Sequence, residues 1–130
     1  MTIRAHSAPS KCLQIADRSN ADGALSQIYT CNGGTQQKWQ IEGGALVNVN
    51  SGKCLGVKHD GVSNSYRVKQ WTCGQYRTQE WEYTTHGTTQ LRNRGSGECL
   101  ELQRLVDFGD AWLSPCNSTN TQKFDIVPEI

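Results

Sequence analysis

The amino-acid sequence predicts an all-β protein that contains three copies of one unit, each about 42 residues long. Each copy has a Cys-Leu pair, then a second cysteine, and then a closing aromatic residue 8 positions further on. The closing aromatics are Trp39, Trp81 and Phe124, which are 42 and 43 residues apart. Around them the apolar residues lie two positions apart, as in Gln37-Lys38-Trp39-Gln40-Ile41. This alternation is typical of β-strands rather than helical repeats, and three copies are fewer than a β-propeller usually needs.

The composition narrows the class of protein. The chain has 130 residues, which suits one core, so we expect a single domain over residues 1–130. It has no long apolar run, so no membrane span is expected. Its 13 basic and 12 acidic residues are intermixed, so no nucleic-acid partner is expected. No apolar signal segment follows Met1, and we interpret the chain as a domain of a longer exported polypeptide.

The first unit spans about residues 1–43. An opening strand is predicted at Ile3-Arg4-Ala5-His6, and Asp22-Gly23 is a turn signal between the two cysteines. In the strand Gln27-Ile28-Tyr29, alternation places the central isoleucine on one face and its two neighbours on the other. A second turn, Asn32-Gly33-Gly34, leads to the closing strand.

The second unit spans about residues 44–86, and the third spans about residues 87–130. In the second unit, an exposed turn is predicted at His59-Asp60-Gly61, in the long loop between the cysteines. The third unit is two residues shorter between its cysteines, and the deletion falls near Val106-Asp107-Phe108-Gly109. We therefore expect this loop to have a different shape from the other two.

These motifs resemble the ricin B-type lectins, which include the family 13 carbohydrate-binding modules. The resemblance depends on Cys12-Leu13, Cys54-Leu55 and Cys99-Leu100, and on the endings Gln37-Lys38-Trp39, Gln79-Glu80-Trp81 and Gln122-Lys123-Phe124. It covers essentially all 130 residues. It implies a β-trefoil, in which twelve strands form six hairpins with pseudo-threefold symmetry and three of the hairpins close a barrel.

The six cysteines form three similarly spaced pairs. Six cysteines allow about fifteen pairings in principle, but the equivalence of the units selects bridges within each unit. The expected disulfides are Cys12–Cys31, Cys54–Cys73 and Cys99–Cys116. Such bridges need an oxidising compartment, so we expect a secreted protein. No Cys-x-x-Cys or clustered Cys/His spacing occurs, and neither a metal nor a cofactor is implied.

Residues that recur in all three units are interpreted as scaffold. The closing aromatics and the leucines after the first cysteines are expected in the core, because apolar groups repeated at a symmetric position are packing elements. The recurrent Gln37, Gln79 and Gln122 are expected to hold the loops before them by side-chain to backbone hydrogen bonds. Gln37 is also among the candidate binding residues.

Residues that differ between the units are the candidates for function. Sugar recognition needs an aromatic face for the apolar side of the ring and planar polar groups for its hydroxyls. The resemblance implies an aromatic residue two positions before the second cysteine, a Gln two before that, an Asp two after the first cysteine and an Asn three before the closing Trp. In unit one these positions hold Tyr29, Gln27, Gln14 and Gln36, and Asn32 begins the adjoining glycine-rich loop.

Units two and three depart further from this pattern. Unit two keeps Trp71 as an aromatic platform but has Gly56 at the Asp position. In unit three, Glu101 stands at the Asp position and Ser114 at the aromatic position. Trp112 lies two residues earlier on the same face of that strand, where it could stack beside Glu101. Trp71, Glu101 and Trp112 are therefore further candidates, although no unit keeps the usual Asp or Asn.

Two classes of function remain open at this point. The resemblance implies a carbohydrate-binding module for galactose- or xylose-type glycans, as an accessory domain of a secreted enzyme or toxin. The alternative is a trefoil whose sugar sites have decayed and which contacts a protein, as some trefoil inhibitors do; the missing Asp in every unit favours it. Catalysis is not expected, because His6, His59 and His86 do not recur at equivalent positions.

Overall fold

The structure, a computed structural model, describes residues 1–57, 67–84 and 87–128. The predicted turn at His59-Asp60-Gly61 and the histidine His86 lie outside these residues. Within them, thirteen β-strands follow one another along the chain. They are β1 (Thr2–Ala5), β2 (Ala8–Ile15), β3 (Ser26–Thr30), β4 (Trp39–Glu42), β5 (Ala45–Asn48), β6 (Cys54–Gly56), β7 (Lys69–Trp71), β8 (Trp81–Glu82), β9 (Thr88–Thr89), β10 (Arg92–Asn93), β11 (Cys99–Leu102), β12 (Ala111–Ser114) and β13 (Phe124–Val127).

The strands form three antiparallel sheets, and each sheet joins two units. One sheet has the order β4-β5-β6-β7, a second has β12-β11-β10-β8, and a third has β3-β2-β1-β13-β9. The last strand of each unit thus pairs with the opening part of the next unit, and β13 of unit three returns to β1 of unit one. This cycle is the predicted all-β trefoil with pseudo-threefold symmetry.

The barrel is closed by similar contacts within each unit, which join the closing strand to the start of the same unit. The backbone N–H groups of Trp39 and Trp81 donate to the carbonyl oxygens of Met1 (2.9 Å) and Gly44 (3.0 Å). In unit three, Phe124 pairs with Thr89 in the same role. The resemblance implied twelve strands, and the described residues contain one more because β9 pairs with β13 over two residues.

The core contains the closing aromatics and the leucines that the recurrence predicted. Trp39 is 0% exposed, Trp81 is 1% exposed and Phe124 is 0% exposed. The indole N–H of Trp39 donates to the Leu13 carbonyl (3.0 Å), and that of Trp81 donates to the Leu55 carbonyl (2.9 Å). Both of these buried indoles are thereby satisfied, and the closing strands of units one and two are tied to the Cys-Leu strands of their own units.

The six cysteines pair within their units, as the equivalence of the units predicted. The bridges are Cys12–Cys31, Cys54–Cys73 and Cys99–Cys116. They close loops with sequence separations of 19, 19 and 17 residues. In the chain-entropy description, a loop of this size contributes about 3 kcal/mol by restricting the unfolded chain.

Two loops between cysteines are fastened to a neighbouring unit by an aspartate. Asp22 of unit one accepts hydrogen bonds from the backbone N–H (2.6 Å) and the hydroxyl (2.9 Å) of Thr72 in unit two. Asp107 of unit three accepts the same pair of bonds from Thr30 of unit one, at 2.8 and 3.0 Å. The Lys11 ammonium also donates to Asp107 at 2.8 Å. We call these contacts the Asp22 latch and the Asp107 latch.

We expect the two latches to weaken in acid. The hydrogen bonds from Thr72 lower the pKa of Asp22, and those from Lys11 and Thr30 lower the pKa of Asp107, from the ordinary value of 3.8. Because the folded pKa lies below the unfolded one, this stabilisation is fully present above the ordinary pKa. It is lost as the pH falls through the folded pKa.

Urea unfolding between about pH 5 and pH 2.5 measures this loss. The parent is expected to lose stability over that range. The double variant Asp22→Asn, Asp107→Asn should start lower at pH 5 and lose less on acidification, because it has no latch carboxylate to protonate. Parallel acid profiles for the parent and the variant would contradict the assignment.

The described residues contain only short helical segments. These are single 3-10 turns at Ala16–Arg18, Thr35–Gln37, Arg77–Gln79 and Asn120–Gln122. No helix there is long or apolar enough to span a bilayer. In the same part of the chain, no group of three or more His, Cys, Asp or Glu side chains is placed to hold a metal ion.

Candidate functional site

A cavity of about 200 Å³ lies in unit one beside strands β2 and β3. Five of its lining residues are those that the sequence predicted for this unit, namely Gln14, Gln27, Tyr29, Asn32 and Gln36. The structure therefore brings these five candidates together. The cavity is also lined by Asp17, Arg18 and Phe108.

The pairing of β2 with β3 positions two of the polar side chains. Gln14 lies directly opposite Gln27 in the antiparallel register, and the two are 6% and 8% exposed. Ile28 is fully buried in the core, so its neighbours Gln27 and Tyr29 lie on the opposite face of the strand. The alternation predicted for this strand is confirmed, and it directs both neighbours towards the cavity.

Gln37 supports the cavity without lining it. It is buried, its Oε1 accepts from the Asn32 N–H (2.8 Å), and its Nε2 donates to the Thr30 carbonyl (3.1 Å). Gln79 and Gln122 make the corresponding pairs of bonds in their own units, at 2.8 to 3.1 Å. The prediction that the recurrent glutamines hold these loops is confirmed.

The amide of Gln37 also fixes the orientation of Gln14. Its Nε2 donates a second hydrogen bond to the Oε1 of Gln14 at 3.0 Å. With that oxygen occupied, Gln14 offers its Nε2 to the cavity as a donor. In unit three, Glu101 accepts the corresponding bond from Gln122 at 3.0 Å. Unit one thus presents a neutral donor at the position where unit three carries a carboxylate.

Gln36 supplies an acceptor that has no protein partner. It is 4% exposed and lines the cavity, and its buried Oε1 makes no hydrogen bond among the described residues. An unsatisfied buried polar atom costs about 1–3 kcal/mol. The oxygen is buried against Gly34, so a ligand hydroxyl that donates to it after a movement of the Gln36 side chain would remove that cost. A donor from Gln14 and an acceptor from Gln36 suit hydroxyl groups, which can accept and donate.

Three residues around the cavity have a strained backbone. Asp17, Arg18 and Phe108 have positive φ angles of 58°, 52° and 69°. They are all of the non-glycine residues with a positive φ in the described part of the chain, and all three line this cavity. The left-handed conformation costs an ordinary residue roughly 1–2 kcal/mol. Such strain gathers at functional sites, so its concentration here marks the cavity as a binding site candidate.

The sequence analysis missed Phe108 as a site residue. Its ring centroid lies 5.1 Å from that of Tyr29, with the two rings inclined by 52°. The shortening of this loop signalled a different shape, but a repeat pattern does not reveal a contact between units three and one. Asp17 and Arg18 were also missed, because Arg18 carries no signal for a left-handed backbone and an aspartate such as Asp17 adopts one only occasionally.

Unit two has a cavity of about 330 Å³ that contains the predicted Trp71. A side chain at Gly56 would place its Cβ 2.4 Å from the Thr78 carbonyl oxygen. The backbone therefore fills the position where the family pattern has an Asp. The cavity does include the carboxylate of Asp22, but the Asp22 latch to Thr72 already engages it. Trp71 thus has an aromatic surface without a free acidic partner beside it.

In unit three the two candidates are neighbours, as predicted. Glu101 lies opposite Trp112 in the register of β11 and β12. Both carboxylate oxygens of Glu101 accept hydrogen bonds, from Thr121 and Gln122, at 3.0 Å. The Arg67 guanidinium lies 5.0 Å from the centroid of the Trp112 ring. Protein groups therefore already engage the Glu101 carboxylate, whereas the buried Nε1 of Trp112 has no hydrogen-bond partner among the described residues. Neither residue lines the cavities of units one and two.

A further cavity of about 680 Å³ lies where unit three meets unit one, away from the predicted residues. Its lining includes His6, whose Nδ1 lies 3.1 Å from the Asp125 carboxylate. Gln90, also in the lining, donates to the Asn117 carbonyl. None of its side chains is among the unpartnered buried groups of the described residues. In this respect the cavity differs from the one in unit one.

The chain resembles solved structures over nearly its whole length. A designed three-fold symmetric protein, ThreeFoil, is 25% identical with a TM-score of 0.87, covering 98% of this chain and 97% of that one. An exo-β-1,3-galactanase from Clostridium thermocellum is 24% identical with a TM-score of 0.85, covering 97% of this chain and 29% of that one. The C-half of the earthworm R-type lectin, in complex with GalNAc, is 11% identical with a TM-score of 0.76, covering 95% and 93%.

The family described as ricin-type beta-trefoil lectin domain matches residues 1–126. This match includes all three Cys-Leu pairs, all three disulfides and all three closing aromatics. It confirms the resemblance drawn from those motifs. The chain belongs to the ricin-type β-trefoil lectin domain family.

Proposed function

We propose that the protein binds a neutral glycan in the cavity of unit one and that it does so without catalysis. The observation that carries the proposal is the composition of this cavity. It combines the five predicted side chains with all of the non-glycine residues of positive φ in the described chain. Membership of a lectin domain family supports carbohydrate as the ligand class.

Each part of the cavity has a role in this proposal. Tyr29 contacts the apolar face of a sugar ring, because the C–H groups of that face suit an aromatic surface. Gln14 donates to a hydroxyl oxygen, and the unpartnered Oε1 of Gln36 accepts from a hydroxyl. Gln27 and Asn32 add two further amides to the wall. The amides are uncharged and the two charged residues of the lining, Asp17 and Arg18, are of opposite sign, so the site suits neutral sugars better than charged ones.

Galactose- and xylose-type glycans are the proposed ligands. The galactanase and the lectin in complex with GalNAc support the galactose type, since both share this fold. This chain corresponds to 29% of the galactanase chain, which supports an accessory domain within a longer polypeptide. Three disulfides support an extracellular location for it.

Glycan-array binding followed by titration calorimetry tests the proposal, with Tyr29→Ala as the main variant. Loss of the stacking surface is expected to weaken binding by roughly tenfold or more. Trp112→Ala is the matched control, because it removes an aromatic ring from the corresponding strand of unit three. The control should keep the affinity of the parent. If Tyr29→Ala binds as tightly as the parent and Trp112→Ala does not, the site belongs to unit three.

A protein-binding domain is the second candidate function. It is favoured by the exposed apolar side chains Val106 and Phe108, which are 53% and 57% exposed on one loop. The absence of the family's usual Asp from all three units also favours it. A glycan array on which the parent binds nothing would support this candidate over the first.

A further inference from the structure

Phe108 belongs to unit three but lines the cavity of unit one, beside Tyr29. We propose that Phe108 determines specificity there, by selecting glycan chains of two or more sugar residues over a single sugar. This inference rests on the proposed function of the same cavity. The predicted residues that line this cavity all come from unit one, and Phe108 adds a contact from unit three.

The backbone holds Phe108 firmly against strand β3. Its N–H donates to the Ile28 carbonyl at 2.8 Å, and the Ile28 N–H donates to the Gly109 carbonyl at 2.9 Å. One residue earlier, the Asp107 latch bonds the Thr30 N–H at 2.8 Å. The loop therefore pairs with β3 almost as another strand does, and the position of the phenyl ring beside Tyr29 is set by the fold.

Unit one contains the same arrangement with a glycine in place of Phe108. Gly23 follows Asp22 as Phe108 follows Asp107, and both stand eight residues before the second cysteine of a unit. The Gly23 N–H donates to the Gln70 carbonyl at 2.8 Å, and Gly23 has a φ of 85°. Gly23 lies beside Trp71, which a Cβ there would meet at 3.8 Å.

This internal comparison shows what is unusual about Phe108. The backbone conformation at this position favours glycine, yet unit three carries a large aromatic residue there with a φ of 69°. The ring is 57% exposed, so packing of the core does not account for it. Strain that is kept at a residue outside the core points to a function of the side chain.

The geometry fits a chain of sugars. The cavity of about 200 Å³ is smaller than most pockets for small molecules and suits about one sugar ring. A second ring joined to the first must extend beyond the cavity wall. Phe108 provides an apolar surface there, inclined by 52° to the Tyr29 ring. Successive rings of a glycan chain differ in orientation, so two inclined aromatic surfaces can each contact one ring.

The test compares Phe108→Gly with the parent, using xylose against xylotriose and galactose against β-1,3-galactotriose. Glycine at this position reproduces the Gly23 loop, so the variant should unfold at the same urea concentration as the parent or a higher one. Phe108→Asn is a second variant that tolerates a left-handed backbone and has no ring. Val106→Ala, also exposed on this loop, is the matched control.

We expect the parent to bind one of the two trisaccharides, and to bind it more tightly than the corresponding monosaccharide. In both Phe108 variants, trisaccharide affinity should fall roughly tenfold more than monosaccharide affinity, so that the preference for the trisaccharide is lost. Val106→Ala should keep the preference of the parent. If the variants keep the preference, or weaken both ligands equally, the inference is overturned and the proposed function stands. If the parent binds none of the four sugars and no array glycan, the proposed function itself is overturned.

Discussion

Replacing Trp81 by alanine is expected to lower the free energy of unfolding by about 3–5 kcal/mol. Trp81 is 1% exposed, and its indole N–H donates to the Leu55 carbonyl at 2.9 Å. The truncation creates a cavity in the core and leaves that carbonyl without its partner. Urea unfolding monitored by circular dichroism measures the loss.

Trp71→Ala is the matched control, because the same side chain is truncated at a half-buried position. The Trp71 indole donates to the Gly56 carbonyl at 3.2 Å, and the residue borders the cavity of unit two. A loss of about 1–2 kcal/mol is expected from the partial burial and this hydrogen bond. Equal losses in the two variants would mean that the inner and outer faces of the strands have been assigned wrongly.

Gln37→Leu is expected to lower the free energy of unfolding by about 2–4 kcal/mol and to weaken glycan binding as well. The leucine fills much of the space but leaves the Asn32 N–H and the Thr30 carbonyl without their partners. It also removes the bond that orients the Gln14 amide in the cavity. The first effect acts on the fold and the second on the site, so unfolding and ligand titration must both be measured.

Gln79→Leu separates these two effects. Gln79 makes the corresponding bonds to the Gly74 N–H (2.9 Å) and the Thr72 carbonyl (3.1 Å), but unit two has Gly56 where unit one has Gln14. The stability loss should be similar to that of Gln37→Leu, while glycan affinity should be unchanged. Equal weakening of ligand binding in both variants would argue against unit one as the site.

The trefoil and its disulfides could be predicted because the three units repeat the same motifs at similar spacings. The closing aromatics, such as Trp39, are buried at equivalent positions, and this recurrence alone identified them as core. Alternation in β3 was enough to place Gln27 and Tyr29 on one face. Both features depend on periodicity and spacing, which a single sequence displays directly.

The rest of the site could not be predicted, because it depends on where loops meet other units. The contact of Phe108 with Tyr29 follows from the Asp107 latch, which joins positions 77 residues apart in the sequence. In the sequence, Gly56 at the Asp position indicated only the loss of an acidic partner. The structure shows that the Thr78 backbone occupies the space as well. Such approaches between loops leave no periodic signal in the sequence.

The central claim is that a neutral glycan occupies the cavity of unit one. A titration of the parent with xylotriose or β-1,3-galactotriose, followed by amide chemical-shift changes across the chain, tests it most directly. The largest changes are predicted at Asp17, Arg18 and Asn32, with Phe108 of unit three shifting together with them. Changes centred instead on residues 72–74 of unit two, or on residues 88–90 beside the cavity of about 680 Å³, would contradict this account.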